Sequence, residues 1–332
     1  AAANGRVAIH VNKRFHFPFL KPLFDLLARE HEAIVTSDAK RIADFDPDVV
    51  IVADAQAGEL RSHAPRAVFV FTRHGLISKN ISVESVRLSD YVCVTSEASR
   101  DWYVERGALP RKGFWITGYV QMDPLFRRDA APIPFAPTPG RKVVLYAPTF
   151  NPALSSAPML GARVAELIRG GREIELIIKP HPMTVERQPS WMAGWRAAAA
   201  RHSDVHLVED PAADLVPYLQ AADVLVTDVS SAMFQFLALE RPIVLVTNPM
   251  ARSDPERFDP EGPEWAWRDV GEEVHDVGSL AAAVARALDD PGRGAERRAH
   301  YRRLLFGDLT DGRAAERIAL NVTRLLRERA SP

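Results

Sequence analysis

The sequence contains almost no cysteine and no long apolar run. One of its 332 residues is a cysteine, Cys93, which excludes a disulfide framework and any zinc site built from several cysteines. No apolar stretch approaches the roughly 18–20 residues that span a bilayer. Residues 1–6 lack the basic and apolar segments of a signal peptide. We therefore expect a cytoplasmic protein, in solution or at the inner face of the cell membrane.

The sequence has no excess of positive or negative charge. It also lacks three common motifs of nucleotide-binding proteins and hydrolases. Lys and Arg number 42 and Asp and Glu number 43, which argues against a nucleic-acid partner bound by bulk electrostatics. The absence of G-x-G-x-x-G, G-x-x-x-x-G-K-[ST] and G-x-S-x-G argues against nicotinamide dehydrogenases, P-loop ATPases and α/β-hydrolases. His202 and His206 lie four residues apart, but a predicted strand begins between them and no carboxylate pattern joins them. We therefore expect no metal site there.

The residues that are present alternate between short β-branched runs and helical patterns. A chain of this length, 47% hydrophobic, is expected to form two domains. The runs are apolar on both faces, as in buried parallel strands, and their alternation with helices predicts doubly wound α/β sheets. The predicted strands are residues 7–11, 33–36, 49–52, 67–71, 91–94 and 114–116, followed by 143–146, 175–179, 205–208, 224–227 and 243–246.

A proline-rich segment divides the two halves. Four prolines lie between residues 132 and 139, a density that disfavours helix and central strand and predicts a stiff linker. We expect two Rossmann-like domains that face a central cleft and are closed by C-terminal helices. The predicted boundaries are 1–127 for the N-terminal domain, 128–141 for the linker, 142–310 for the second domain and 311–332 for a helix packing back across the domains. Ligands of such sheets bind where strands end.

Polar residues at two predicted helix starts are candidates for phosphate binding. Asp228, Ser230 and Ser231 directly follow a predicted strand in the second half, and a helix begins at once. These residues can cap the helix, and the same geometry points backbone N–H groups at an anion. The doubled serine favours the phosphate site over a plain cap. Asp311-Gly312 precedes the last helix and is either a second anion site or only a cap.

The segment Lys179-Pro180-His181-Pro182 directly follows another predicted strand. Its prolines restrict the backbone and so fix the two side chains between them. The lysine offers a positive charge to phosphate and the histidine a proton near neutral pH. A surface turn without function is the alternative. Thr149 follows the first strand of the second half and is a further candidate for phosphate binding.

In the N-terminal half, Arg73-His74-Gly75 follows the strand predicted at residues 67–71. His74 is the candidate general base for deprotonating an alcohol acceptor, and a histidine bonded to a nearby carbonyl is the alternative. Gly75 permits a tight turn or the close approach of a ligand, and Arg73 and Lys79 add positive charge. His16 lies just before the first predicted helix and is a candidate for the lining of the cleft.

Taken in order, these segments resemble the CDP-glycerol glycerophosphotransferase family, the teichoic-acid primases and polymerases. The resemblance implies a GT-B fold with the acceptor in the N-terminal domain and the CDP-linked donor in the C-terminal one. It implies that His74 and His181 are essential and that Lys179, Ser230 and Ser231 hold the donor's phosphates. The matching segments are His74-Gly75, Gly118-Tyr119 with Asp123, residues 145–149, residues 179–182, residues 223–234, Trp267-Arg268-Asp269 and residues 311–317.

The resemblance implies transfer of glycerol phosphate, or a related polyol phosphate, from a CDP-activated donor to a hydroxyl acceptor. CMP is released, and the product belongs to a cell-envelope or capsular polymer. The acceptor is a glycan, a lipid-linked molecule or a polymer. No cofactor or metal is expected, because fixed donors and cations can stabilise the transferred phosphate. Two alternatives stay open: a GT-B nucleotide-sugar glycosyltransferase or sugar 2-epimerase, and a non-catalytic GT-B binding module. The arginine-rich C-terminal helix is a candidate for contact with anionic lipid.

Overall fold

The chain folds into two compact α/β units. The computed structural model describes residues 5–73, 83–256 and 258–330. Within these, the first unit contains the residues up to 127 together with those from 303 onward, and the second contains residues 128–302. The proline-rich segment therefore belongs to the second unit, and the C-terminal helix to the first. None of the helices described is both long and apolar enough to cross a membrane.

The first unit is built on a parallel sheet of six strands in the order β2-β1-β3-β4-β5-β6. Every residue of β3 is buried, because helices cover both faces of the sheet. Neighbouring residues of β3 enter different cores: Val49 and Ile51 pack into one, Val50 and Val52 into the other. This explains why the strand has no polar alternation. The strands are β1 (Arg6–His10), β2 (Glu32–Thr36), β3 (Val49–Val52), β4 (Val68–Phe71), β5 (Tyr91–Val94) and β6 (Gly113–Ile116).

The C-terminal helix completes the first unit. Its apolar residues recur at helical spacing, and Ile318, Val322 and Leu325 are buried in the same core as Leu20 and Leu23 of the first helix. The last helix thus covers one face of the N-terminal sheet. The helices of this unit are α1 (Phe17–Ala28), α2 (Ala39–Phe45), α3 (Ala57–Leu60), α4 (Val83–Leu88), α5 (Glu97–Glu105) and α6 (Asp123–Arg127), with α16 (Ala314–Ala330).

The second unit has its own six-stranded parallel sheet, in the order β12-β11-β10-β7-β8-β9. The strands are β7 (Lys142–Tyr146), β8 (Ile174–Ile178), β9 (Val205–Leu207), β10 (Val224–Thr227), β11 (Ile243–Val246) and β12 (Glu272–Val274). The order reverses between β7 and β10, and this switch point is where open α/β sheets bind ligands. The helices are α7 (Ala157–Leu160), α8 (Val164–Arg169), α9 (Thr184–Arg187), α10 (Pro189–Arg201), α11 (Val216–Ala221), α12 (Ala232–Gln235), α13 (Pro263–Ala266), α14 (Leu280–Asp289) and α15 (Ala295–Phe306). The residues of α15 from 303 onward are assigned to the first unit.

The proline-rich segment contains neither helix nor strand but is fastened to the second unit. The backbone N–H of Thr138 donates to the Glu175 carboxylate at 2.9 Å, and the Phe135 ring stacks on His206 with centroids 4.1 Å apart. His206 in turn contacts Glu175 through Nε2 at 2.7 Å. His206 therefore pairs with a buried carboxylate that also anchors the proline-rich segment.

Candidate active site

The switch point of the second sheet is organised around the carboxylate of Asp228. This residue follows β10 and is 0% exposed. Its Oδ1 accepts a hydrogen bond from Thr149 N at 3.0 Å, and its Oδ2 accepts from Ser156 N and Ser156 Oγ, both at 2.8 Å. Burial raises the pKa of Asp228 to about 6, against the opposing effect of these hydrogen bonds. Asp228 therefore holds the loop that follows β7, whatever ligand the site binds.

Asn248 fixes the same loop from the end of β11. Its Nδ2 donates to the carbonyl oxygens of Pro152 and Ser155, at 3.0 and 2.9 Å. Its Oδ1 accepts from Met250 N at 2.9 Å. The loop of residues 147–156 is thus bonded to the ends of two neighbouring strands. Asn248 was not predicted, because nothing in its sequence neighbourhood shows that it meets a loop more than ninety residues away.

Arg268 joins three neighbouring strands of the second sheet. It is 7% exposed, and its Nη1 donates to the Asp228 carbonyl at 2.9 Å. Its Nη2 donates to Thr247 Oγ1 at 2.5 Å, and its Nε to Glu273 Oε2 at 2.7 Å. The guanidinium thereby fastens the ends of β10, β11 and β12 to one another. The sequence analysis named Arg268 only as part of the segment Trp267-Arg268-Asp269. Its structural role, joining three strands, follows only from these tertiary contacts.

Lys179 places a buried cation at the end of β8. The residue is 4% exposed, and its Nζ donates to the Pro180 carbonyl at 3.3 Å. Burial lowers the pKa of Lys179 to about 8, while the carboxylates of Asp214 and Asp210 oppose the shift. The amine is therefore mostly charged at pH 7 and is poorly solvated. Such a cation gains more from a bound anion than an exposed lysine does.

His181, two residues after Lys179, is half-buried. Two contacts fix the orientation of its imidazole ring. Met183 N donates to His181 Nδ1 at 3.0 Å, so the neutral imidazole carries its proton on Nε2. The Phe150 ring packs against the imidazole with centroids 4.6 Å apart. His181 therefore offers an Nε2–H donor at a defined place, which suits contact with a phosphate oxygen.

The two serines after β10 differ in their surroundings. Ser230 is half-buried, and its Oγ accepts from Ala232 N at 3.2 Å, which caps the start of α12. Ser231 is exposed. The helix predicted to begin directly after these serines is α-helical only over Ala232–Gln235 and continues as a 3-10 helix over Phe236–Leu239.

Of the candidate residues in the N-terminal half, the structure describes Arg73 and His16. His74, Gly75 and Lys79 lie outside the described residues. Arg73 adopts a left-handed backbone with φ of 65°, uncommon outside glycine, and its guanidinium lies 4.9 Å from the Tyr103 ring centroid. His16 is 1% exposed and packs among the rings of neighbouring phenylalanines.

The Asp311-Gly312 turn lies in the first unit, whereas Lys179 and His181 lie in the second. The carboxylate of Asp123 accepts hydrogen bonds from the first two N–H groups of α16, both at 2.9 Å, so this helix start already holds an anion. Asp311 pairs with Arg317 at 2.5 Å, a hydrogen bond that lowers the pKa of Asp311. Gly312 has φ of 71°, and a Cβ there would lie 2.7 Å from the Asp123 carbonyl oxygen. These contacts make the turn a capped helix start.

Comparison with known proteins connects most of the chain to one family. The family model described as CDP-glycerol:poly(glycerophosphate) glycerophosphotransferase matches residues 14–324. A curated relative, the teichoic acid glycerol-phosphate primase of Bacillus subtilis (strain 168), is 28% identical over 165 residues. That match covers 48% of this chain and 39% of the primase, so the matched part spans well under half of that relative's length.

Solved structures confirm the predicted fold class. A variant of the wall teichoic acid polymerase TagF superposes with a TM-score of 0.68 at 13% identity, over 100% of this chain and 91% of that one. A putative UDP-N-acetylglucosamine 2-epimerase from Listeria monocytogenes superposes with a TM-score of 0.66 at 16% identity, over 98% of each chain. Both likenesses concern the fold, which is of the GT-B type with two Rossmann-like sheets.

Proposed function

This chain belongs to the CDP-glycerol:poly(glycerophosphate) glycerophosphotransferase family, and we propose that it transfers glycerol phosphate from a CDP-linked donor to a hydroxyl acceptor. In a variant of the same reaction, the transferred group is a related polyol phosphate. The observation that carries the proposal is the pair of Lys179 and His181 at the end of β8, one a buried cation and the other an oriented donor. Both lie within the residues that match the family.

The donor's diphosphate is proposed to lie between Lys179 and the serines after β10. The acceptor hydroxyl attacks the phosphorus next to glycerol, so a new P–O bond forms while the P–O bond to CMP breaks. The negative charge that develops on the departing CMP is stabilised by the Lys179 ammonium and the His181 Nε2–H. His74 is proposed to accept the proton of the hydroxyl. Thr149 and Asp228 shape the loop beside the phosphates.

The nucleotide selectivity of the protein tests this function directly. We expect calorimetric titration to show binding of CDP-glycerol or CDP-ribitol, and of CDP and CMP, without comparable binding of UDP or UDP-N-acetylglucosamine. A preference for uridine nucleotides would instead support a sugar transferase or 2-epimerase. No binding to any of these nucleotides would support a non-catalytic module. The assay needs no knowledge of the acceptor.

We further propose that the transfer requires neither a metal ion nor an organic cofactor. Lys179 supplies a positive charge and His181 a hydrogen-bond donor, and together they can stabilise the negative charge that a divalent cation would otherwise stabilise. Protein dialysed against EDTA is expected to keep its full transfer rate from CDP-glycerol. A rate that collapses in EDTA and returns with Mg²⁺ would refute this proposal.

The proposed place of action is the cytoplasmic face of the cell membrane, reached through exposed arginines of α16. Arg324 and Arg327 are exposed there. We expect co-sedimentation with vesicles rich in anionic lipid at low salt, weakened by salt and by the double change Arg324→Glu/Arg327→Glu. Equal sedimentation with neutral and anionic vesicles would argue against electrostatic docking.

A further inference from the structure

Arg187 lies six residues after His181, at the end of the single-turn helix α9. The turn is closed by backbone hydrogen bonds from Thr184 N to the His181 carbonyl at 2.9 Å and from Arg187 N to the Met183 carbonyl at 3.0 Å. The guanidinium carbon of Arg187 is 5.3 Å from the centroid of the Phe150 ring. The same ring packs against the His181 imidazole at 4.6 Å. One aromatic ring thus connects the guanidinium with the oriented histidine.

The charge of Arg187 is not balanced by a neighbouring carboxylate. Its side chain is exposed, and within the described part of the chain no Asp or Glu comes within ion-pair distance of it. Several other exposed arginines of this unit pair with carboxylates: Arg163 with Glu166, Arg172 with Asp289 and Arg196 with Glu209. Arg187 instead rests on an aromatic ring, which limits its rotamers and leaves its donors accessible.

We propose that Arg187 binds a phosphate group of the substrate beside His181. A guanidinium presents a planar set of donors that matches phosphate oxygens in a bidentate manner, and here the ring of Phe150 orients it in advance. The proposal rests on the proposed function, because it assumes phosphorylated substrates at this site. The phosphate belongs either to the diphosphate of the donor or to a phosphodiester of the acceptor, and the chemistry of recognition is the same for both.

The test compares Arg187→Ala and Arg187→Lys with the matched control Arg201→Ala. Arg201 is an exposed arginine of the same unit, but it ends α10 shortly before β9 begins. It therefore lies towards the amino ends of the strands, whereas Arg187 follows the carboxyl end of β8. We expect Arg187→Ala to lower kcat/KM by about 10- to 100-fold, mainly through KM, as loss of a charge-assisted phosphate contact does. Arg187→Lys is expected to recover part of the loss, and Arg201→Ala to behave as wild type.

Two binding measurements distinguish the source of the phosphate. Weaker calorimetric binding of CDP-glycerol to Arg187→Ala, without acceptor present, assigns the contact to the donor. Unchanged CDP-glycerol binding with a raised KM for a short glycerol-phosphate oligomer assigns it to the acceptor. If both quantities match those of Arg201→Ala, the proposal is wrong.

A third titration separates this proposal from the proposed function. Failure of wild-type protein to bind CDP-glycerol would refute the function, but inorganic pyrophosphate can still probe Arg187. Weaker pyrophosphate binding to Arg187→Ala than to Arg201→Ala would support a phosphate contact. Equal binding to the two variants, in protein that does not take CDP-glycerol, would overturn it.

Discussion

His181→Ala is expected to lower kcat by about 10²-fold or more, with CDP-glycerol binding changed only a few-fold. A donor that acts on charge developing in the transition state contributes to kcat rather than to ground-state binding. The Met183 N–H, which now bonds to Nδ1 at 3.0 Å, fixes which ring nitrogen is the donor. The measurement is steady-state transfer from CDP-glycerol, with calorimetric binding of the donor alongside it.

Two further substitutions of His181 distinguish its hydrogen bond with Met183 N from the donor that Nε2 provides to the substrate. His181→Asn keeps an acceptor near the position of Nδ1 and can preserve the bond from Met183 N, but it loses the donor at Nε2. His181→Gln extends a donor towards the Nε2 position. We therefore expect the asparagine variant to be as slow as the alanine variant and the glutamine variant to recover part of the rate. Equal rates for wild type and all three variants would remove His181 from the mechanism.

The fold was predictable because buried parallel strands have a strong sequence pattern. The apolar runs at residues 49–52 and 224–227 coincide with β3 and β10, and both sheets are parallel as expected. The strand β12 was missed because Glu272 and Glu273 occupy two of its three positions. It lies at the edge of the sheet beside β11, where Glu272 pairs with Arg286 and Glu273 with Arg268, so neither residue needs an apolar partner.

The candidate site was predictable where its chemistry is local in the chain. Lys179 and His181 follow one strand within three residues, so their joint placement needs no tertiary information. The task of Asp228 depends on donors 72 and 79 residues away, and no local pattern reveals that its carboxylate faces them. The surroundings of Asp311-Gly312 could not be predicted for the same reason. The N–H groups at the start of α16 bind the carboxylate of Asp123, which is 191 residues away in the sequence. Sequence patterns identify which groups stand at a strand end, whereas tertiary contacts decide where they point.

Lys179→Met is expected to lower kcat/KM for the donor by about 10²- to 10³-fold, the range for loss of one preorganised electrostatic contact. The cation lies in a poorly solvated place, so its attraction to a phosphate is little screened by water. The matched control is Lys142→Met, which removes the same charge from a lysine of the same unit whose side chain is 63% exposed. Comparable losses in the two variants would show that net charge, rather than the buried amine, determines the rate.

The depressed pKa of Lys179 adds a pH dependence with a definite sign. Burial lowers this pKa to about 8, and the charged form is the one that attracts the donor. The kcat/KM for CDP-glycerol, which reports the free enzyme, is therefore expected to fall as pH rises through that value. Lys179→Arg should abolish this fall between pH 8 and 10, since an arginine stays protonated there. A fall that persists unchanged in Lys179→Arg would assign the titration to another group and leave Lys179 without an electrostatic part in the reaction.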